Sequence, residues 1–274
     1  MIRESAADSA YGGKLRALEA SLDALPGAVV AFSGGVDSTA LLHACAARLC
    51  DRVVAVTADS PSLPRRELSE ARELAGRIGV RHIVLATREL DREDYRRNGR
   101  DRCYHCKREL FLTVAARRSE VAPPEWPVVF GAIADDLSDH RPGWRAAREL
   151  GVLAPLADAG FSKPDVRRYS RDAGLPTAEK PSMACLSSRV PYGTKIDRLL
   201  LSRVERSEDA LRALGFRQLR VRHHGDVARV EIDRGEIARA FDLRSEIAEA
   251  LRRCGYTYVA LDLEGFRSGS MNES

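Results

Sequence analysis

Residues 28–39 read Ala-Val-Val-Ala-Phe-Ser-Gly-Gly-Val-Asp-Ser-Thr, and no other stretch restricts the fold as much. Residues 28–32 are a short apolar run with adjacent β-branched side chains, which predicts a buried strand. Two glycines follow almost at once. Leu41, Leu42, Cys45 and Leu49 then recur at helical spacing. Strand, glycine turn and helix in that order build an anion site. The glycines let the backbone approach a ligand closely, and the helix start directs unpaired N–H groups at it. Ser33, Ser38 and Thr39 add hydroxyl donors.

The stretch lacks the Lys-Ser/Thr ending of a Walker loop and the third glycine of a dinucleotide fingerprint. Its surroundings continue the alternation. Residues 52–58 and 81–86 read as further strands around a helix at 63–79, which implies right-handed crossovers and a doubly wound, mostly parallel sheet. Ligands in such sheets sit beyond the carboxyl ends of the strands. Asp59 falls on that rim, either facing a nucleotide or as a plain turn carboxylate. A strand at 126–131 ends in Gly131-Ala-Ile-Ala-Asp135-Asp136, and Asp135 there suits Mg²⁺ held between protein and triphosphate.

The remaining segments are read more coarsely. Residues 1–13 look like a frayed polar tail before a helix at 14–25. Residues 88–102 are charged and aperiodic, a loop or short exposed helix. A helix from about residue 107 follows the Cys103-Tyr-His-Cys106 motif. Ser162 and Pro164 mark the start of a helix to residue 173. Residues 179–189 are irregular and rich in Pro and Ser, as functional loops are. From about residue 194 the pattern changes to a helix at 197–214, a hairpin of 216–223 with 227–232, a helix at 235–253 and a strand at 256–261. The expected organisation is α/β: a doubly wound domain over 14–190 with a smaller C-terminal α+β domain over 191–274.

No apolar run in the 274 residues is long enough to span a bilayer, and the first residues carry no signal-peptide block, so a cytoplasmic location is expected. The net charge of +4 is spread among mixed signs, which argues against a nucleic-acid track. In a reducing compartment the six cysteines are reactive or metal-bound rather than paired. Cys45, Cys50 and Cys254 read as ordinary thiols. Cys103, Cys106 and Cys185 leave three readings open: a zinc site, a dithiol pair, or three ligands of an iron–sulfur cluster. Arg217, Arg220, Arg222 and Arg229 put guanidiniums on or near the hairpin, suited to phosphate or carboxylate recognition.

Ser33-Gly-Gly-Val-Asp37-Ser38 resembles the PP-loop of the ATP pyrophosphatases, which split ATP into AMP and pyrophosphate. Across almost its full length the chain resembles the LarE-type ATP-dependent sulfur transferases. The matching stretches are residues 33–39, 131–136 followed by Arg141-Pro-Gly, 153–156, 185–193, 220–222, 228–231 and 261–270. Where this family usually has Asn in the second strand-end motif, the chain has Ile133. The resemblance implies adenylation of a pyridinium dicarboxylate mononucleotide and its conversion to a thiocarboxylate for the nickel-pincer nucleotide cofactor. It implies that Ser33, Gly34, Gly35, Asp37, Ser38 and Thr39 bind ATP and that Asp135 holds Mg²⁺. By the same resemblance Ser188, Arg189, Arg220, Arg222 and Arg267 bind the substrate, Glu208 stands near the reacting thiol, and Glu231 near oligomer or metal contacts. Asp37, Cys185 and Glu208 are counted as catalytic. One branch of the family sacrifices the sulfur of the cysteine matching Cys185. The three-cysteine branch holds a [4Fe-4S] cluster on residues matching Cys103, Cys106 and Cys185, and this chain has that pattern. A homo-oligomer is expected, without membrane or nucleic acid. A tRNA thiolase is the main alternative, although Val36 stands where those enzymes usually have Lys. An amide-forming ligase and a non-catalytic AMP-binding module complete the alternatives.

Overall fold

The computed structural model of the chain describes residues 6–137, 142–181 and 184–267. The described residues form two compact units. The first comprises those of Met1–Ser60, Arg65–Glu89 and Asp101–Met183, and the second those of Pro61–Pro64, Leu90–Arg100 and Ala184–Ser274.

In the first unit, helix α1 (Ala6–Asp23) precedes strand β1 (Ala28–Ala31), helix α2 (Val36–Leu49), strand β2 (Val53–Asp59), helix α3 (Arg65–Ile78) and strand β3 (Arg81–Ala86). Helix α4 (Arg102–Ala116), strand β4 (Val128–Phe130), helix α5 (Pro142–Glu149) and helix α6 (Lys163–Asp172) follow. The sheet order is β3-β2-β1-β4 and every pairing is parallel. This is the expected α/β architecture. The centre of the sheet is buried on both faces. Ala28 and Val30 enter one apolar cluster while Val29 and Ala31 enter another, as the two-residue period of a strand requires. Val53 and Ala55 of β2 join the first cluster, Val54 and Val56 the second.

The tail expected before Lys14 is helical from Ala6 onward. Tyr11 explains the difference: its ring is buried, packs edge-on against Phe161 and lies under the Arg168 guanidinium at 4.2 Å. Helix α4 begins at Arg102, so Cys103 and Cys106 lie inside it rather than ahead of it.

The second unit contains helix α7 (Arg198–Ala213), strands β5 (Leu219–His224) and β6 (Val227–Ile232), helix α8 (Arg244–Arg253) and strand β7 (Tyr258–Leu261). Its sheet runs β5-β6-β7, with β5–β6 antiparallel and β6–β7 parallel. The hairpin turns at Gly225, whose φ of +64° favours glycine. The helix expected over 235–253 is broken at Leu243 into Ile237–Asp242 and α8. The charged segment 88–102 is not simply exposed. Tyr95 and Asn98 are buried, and Asn98 Nδ2 donates to the carbonyls of Val190 and Pro191 at 3.3 and 2.8 Å. Tyr95 and Ser187 hydroxyls meet at 2.7 Å.

Gly131 fixes how the 131–136 loop meets α2. A Cβ there would lie 2.8 Å from the Ser38 backbone nitrogen and 3.0 Å from Asp37 C and Ser38 Cα. Those are main-chain atoms of a helix start and cannot rotate aside. Gly131→Ala is expected to cost about 1–3 kcal/mol, the usual penalty of overpacking. A thermal melt of the variant that coincides with wild type would contradict this close approach.

Candidate functional site

The loop after β1 is shaped by glycine and held by lysine. Gly34 has φ of +72°, and a Cβ on it would meet Ala71 of α3 at 3.3 Å. Its carbonyl accepts a hydrogen bond from Lys180 Nζ at 3.1 Å. That ammonium also pairs with Glu67 at 3.2 Å and Glu70 at 2.7 Å on α3. Burial raises the Glu70 pKa, but hydrogen bonds from Lys180 and Arg66 outweigh it and hold the carboxyl below its ordinary value. Gly35 is the N-cap of α2 in extended conformation. Ser38 Oγ donates to the Gly35 carbonyl at 3.2 Å and lies 3.1 Å from Ser33 Oγ. Thr57 Oγ1 on β2 donates to the Phe32 carbonyl at 2.6 Å and so braces the last residue before the loop.

Asp37 and Asp135 both contact Lys163, at the first position of α6. Lys163 Nζ lies 2.6 Å from each Asp37 carboxylate oxygen, and its backbone N–H donates to Asp135 Oδ2 at 2.8 Å. A capping box formed by Ser162 and Asp165 fixes this helix start, at the place that Ser162 and Pro164 marked in the sequence. Lys14 of α1 pairs with Asp165 at 2.6 Å. Asp136 turns inward to accept from the Ile133 N–H. Thr39 is fully buried and its hydroxyl has no hydrogen-bond partner, so it does not open onto the loop. Asp59 is ion-paired with Arg65. Lys163 and Lys180 were not singled out by the sequence reading. The capping box placed the first, and nothing local marked the second.

The substrate residues expected in the second unit form a buried ionic network. Arg189 donates through Nε and Nη2 to Glu208 at 2.8 and 3.2 Å. Its Nη1 donates to the carbonyls of Ala184 and Cys185 at 2.6 and 3.0 Å. Ser188 Oγ also donates to the Cys185 carbonyl, at 2.8 Å. Glu208 is 1% exposed and accepts in addition from Arg212 at 3.0 Å and the Val221 N–H at 3.3 Å. Burial raises its pKa, yet Arg189, Arg212 and Arg220 together bring the carboxyl below its ordinary value. Arg222 holds Glu231 through two hydrogen bonds of 3.0 and 2.9 Å and reaches the Ser188 carbonyl at 2.9 Å. Arg229 adds a third contact to Glu231, at 3.1 Å. Arg220 lies over the Phe266 ring at 4.9 Å. Burial, reinforced by Arg189, brings its pKa down to about 10. Arg267 pairs with Glu264 at 2.7 Å.

Cys103 and Cys106 stand one turn apart at the start of α4 in the first unit, and Cys185 belongs to the second; all three are reduced thiols. A helix start favours thiolates, and three thiols are a donor set that iron–sulfur clusters accept. His105, between the first two, lies 3.2 Å from Asp101. Among the described residues no group of three or more His, Cys, Asp or Glu is placed to hold a metal ion. No helix among them is long and apolar enough to cross a membrane. Arg141 and residues 268–270, part of the matching stretches, lie outside the described residues.

A parallel sheet whose first strand feeds a Ser-Gly-Gly-x-Asp-Ser turn into a helix defines a PP-loop protein acting on ATP. The pattern of the queuosine biosynthesis protein QueC family matches residues 27–94, which span β1 to β3. Over 265 residues, 95% of this chain and 94% of the relative, the chain is 35% identical to the pyridinium-3,5-bisthiocarboxylic acid mononucleotide synthase of Lactiplantibacillus plantarum. It is 41% identical over 94% of its length to an uncharacterized protein of Synechocystis, of which it covers 97%. An uncharacterized protein of Methanocaldococcus jannaschii is 26% identical over 88% of this chain and 90% of its own. The chain belongs to the LarE-type PP-loop family of ATP-dependent sulfur transferases.

Breaking a buried pair by removing one charge typically costs about 3–5 kcal/mol, and Glu208→Gln is expected to fall in that range near neutral pH. The sign with pH follows from the lowered carboxyl. Its contribution is complete above the unfolded value, about 4.3, and is lost as pH falls through the lower folded value. Urea unfolding of both proteins should therefore show a gap that narrows toward acid. A gap independent of pH would refute an ionised Glu208.

Proposed function

We propose that this enzyme adenylates a carboxylate of a pyridinium dicarboxylate mononucleotide and converts it to a thiocarboxylate, a step in nickel-pincer nucleotide biosynthesis. The observation that carries this reading is the full-length relationship to the Lactiplantibacillus plantarum synthase. The chemistry is consistent with the residues. A carboxylate oxygen of the substrate attacks the α-phosphorus of ATP, the α–β bridging bond breaks and pyrophosphate leaves. A sulfur nucleophile then attacks the acyl carbon and AMP departs with the electron pair. Free N–H groups at the start of α2, with Ser33 and Ser38, suit the departing pyrophosphate. Asp37 and Asp135 offer hard oxygens, and Mg²⁺ is commonly held by one or two carboxylates plus substrate phosphates.

For sulfur, Cys103, Cys106 and Cys185 are the proposed ligands of a [4Fe-4S] cluster, which when bound would supply sulfide. This rests on the three-thiol pattern of the chain. A reaction of the cluster-loaded protein with ATP, Mg²⁺, the mononucleotide and added sulfide tests the proposal in one vessel. AMP, pyrophosphate and thiocarboxylate are expected, with the mass of Cys185 unchanged. ADP and orthophosphate would overturn the adenylation. A Cys185 that loses the mass of its sulfur would replace the cluster by sacrificial transfer.

The second unit is proposed to bind the substrate phosphate, with Arg220 as the leading contact. Arg189 and Arg222 are already matched by Glu208 and Glu231. Arg220 carries its charge in a place that disfavours it: burial is the largest cause, Arg189, Arg222 and Arg212 add to it, and Glu208 offsets part of it. An incoming anion relieves that cost. Arg220→Met is therefore expected to weaken mononucleotide binding about tenfold or more, as loss of a charge-assisted contact does, without lowering the melting temperature. Arg222→Met should instead destabilise the fold by stranding Glu231. Calorimetric titration with the mononucleotide, paired with melts, separates the two, and equal affinity for wild type and Arg220→Met would count against the assignment.

A further inference from the structure

We propose that Lys163 is an internal counter-cation that keeps the Asp37–Asp135 pair closed to free divalent metal, so that metal loads together with nucleotide. The inference rests on the reading of Asp37 and Asp135 as metal ligands given above.

Both oxygens of Asp37 are engaged by one ammonium at 2.6 Å. The same residue's backbone N–H engages Asp135 at 2.8 Å. The Lys163 backbone is fixed at this position. It occupies the first residue of a ten-residue helix whose start is fixed by the Ser162–Asp165 capping box, itself braced by Lys14. The hydrogen bond between His43 on α2 and Tyr169 on α6, 2.9 Å, ties the two helices nearly two turns further in. The ammonium therefore takes the carboxylate face that a hard cation would take. A hydrated Mg²⁺ gives up its waters reluctantly and gains little from a carboxylate already neutralised at contact distance. A triphosphate changes the balance. It brings several negative charges to the start of α2, offers the ammonium new partners and supplies the remaining oxygens of a metal site.

Mn²⁺ is the probe, counted by electron paramagnetic resonance on the nucleotide-free protein, where bound and free ion differ in signal. Wild type should bind it weakly. Lys163→Met should bind it about tenfold more tightly or better, since the Asp37 carboxylate loses the ammonium that engages both its oxygens. Lys163→Arg, which keeps the charge, should behave as wild type. Adding Asp37→Asn to Lys163→Met should abolish the gain. A gain of binding cannot be produced by misfolding, and melts of each variant accompany the titration. Equal Mn²⁺ affinity in wild type and Lys163→Met would overturn the proposal, as would a gain that survives Asp37→Asn. The titration contains no ATP, so it stands apart from the adenylation reading, which fails separately if no AMP and pyrophosphate form.

Discussion

The first unit depends on β1 being buried on both faces. A four-residue strand with no exposed side cannot end in side-chain contacts of its own, so its chemistry lies in the turn that follows. Alternate residues feed two apolar clusters, and each fully buried Val contributes about 1.5–3 kcal/mol to holding the strand in register. The register in turn sets where Ser33 leaves the sheet. Thr57 on the carbonyl of Phe32 and Gly131 against Ser38 then fix the direction of the loop from two neighbouring strands. The loop is thus shaped by packing below it and by a missing Cβ beside it.

A different constraint governs the second unit, where charge is buried instead of excluded. Glu208 and Glu231 are each 1% exposed, and each is met by a guanidinium through two hydrogen bonds. Burying such pairs seldom stabilises a fold relative to apolar packing. The second contact of each arginine suggests what the arrangement achieves: Arg189 reaches the Ala184 and Cys185 carbonyls, and Arg222 reaches that of Ser188. The segment around the short 3₁₀ turn Leu186–Arg189 is held by side chains that are themselves held by carboxylates.

How much of this could be read from the sequence follows from the range of each interaction. The strand–turn–helix of residues 28–39 and the two-face burial of β1 are local, written in a continuous apolar run and then a period of 3.6, and they were legible. So was the N-cap at Ser162. The start of α4 was not, because residues 102–107 are polar and carry no apolar period, so the CxxC motif looked like a preface to the helix. The docking of residues 90–100 depends on Tyr95 and Asn98 finding Ser187, Val190 and Pro191 about ninety residues later. Alternation along β5 put Arg220 and Arg222 on one face, but it did not reveal that Arg222 would engage Glu231 while Arg220 lies over the Phe266 ring. The roles of Lys163 and Lys180 are likewise set by partners more than a hundred residues away.

The two lysines act on the same loop by different physics. Lys180 addresses a carbonyl and two carboxylates of α3, and it is mostly buried, with 16% of its side chain exposed. It serves to hold Gly34 in its left-handed turn. Its charge is spent within the protein, and no ligand of the loop needs to displace it. Lys163 addresses a carboxylate at the mouth of the phosphate cradle and is 39% exposed. Its charge is only lent to Asp37, since a polyanion entering the cradle competes for it directly. A loop that must receive a phosphate chain and release pyrophosphate benefits from this division. The cation that defines its shape stays fixed, while the cation that balances its charge is free to change partners as the charge of the ligand changes.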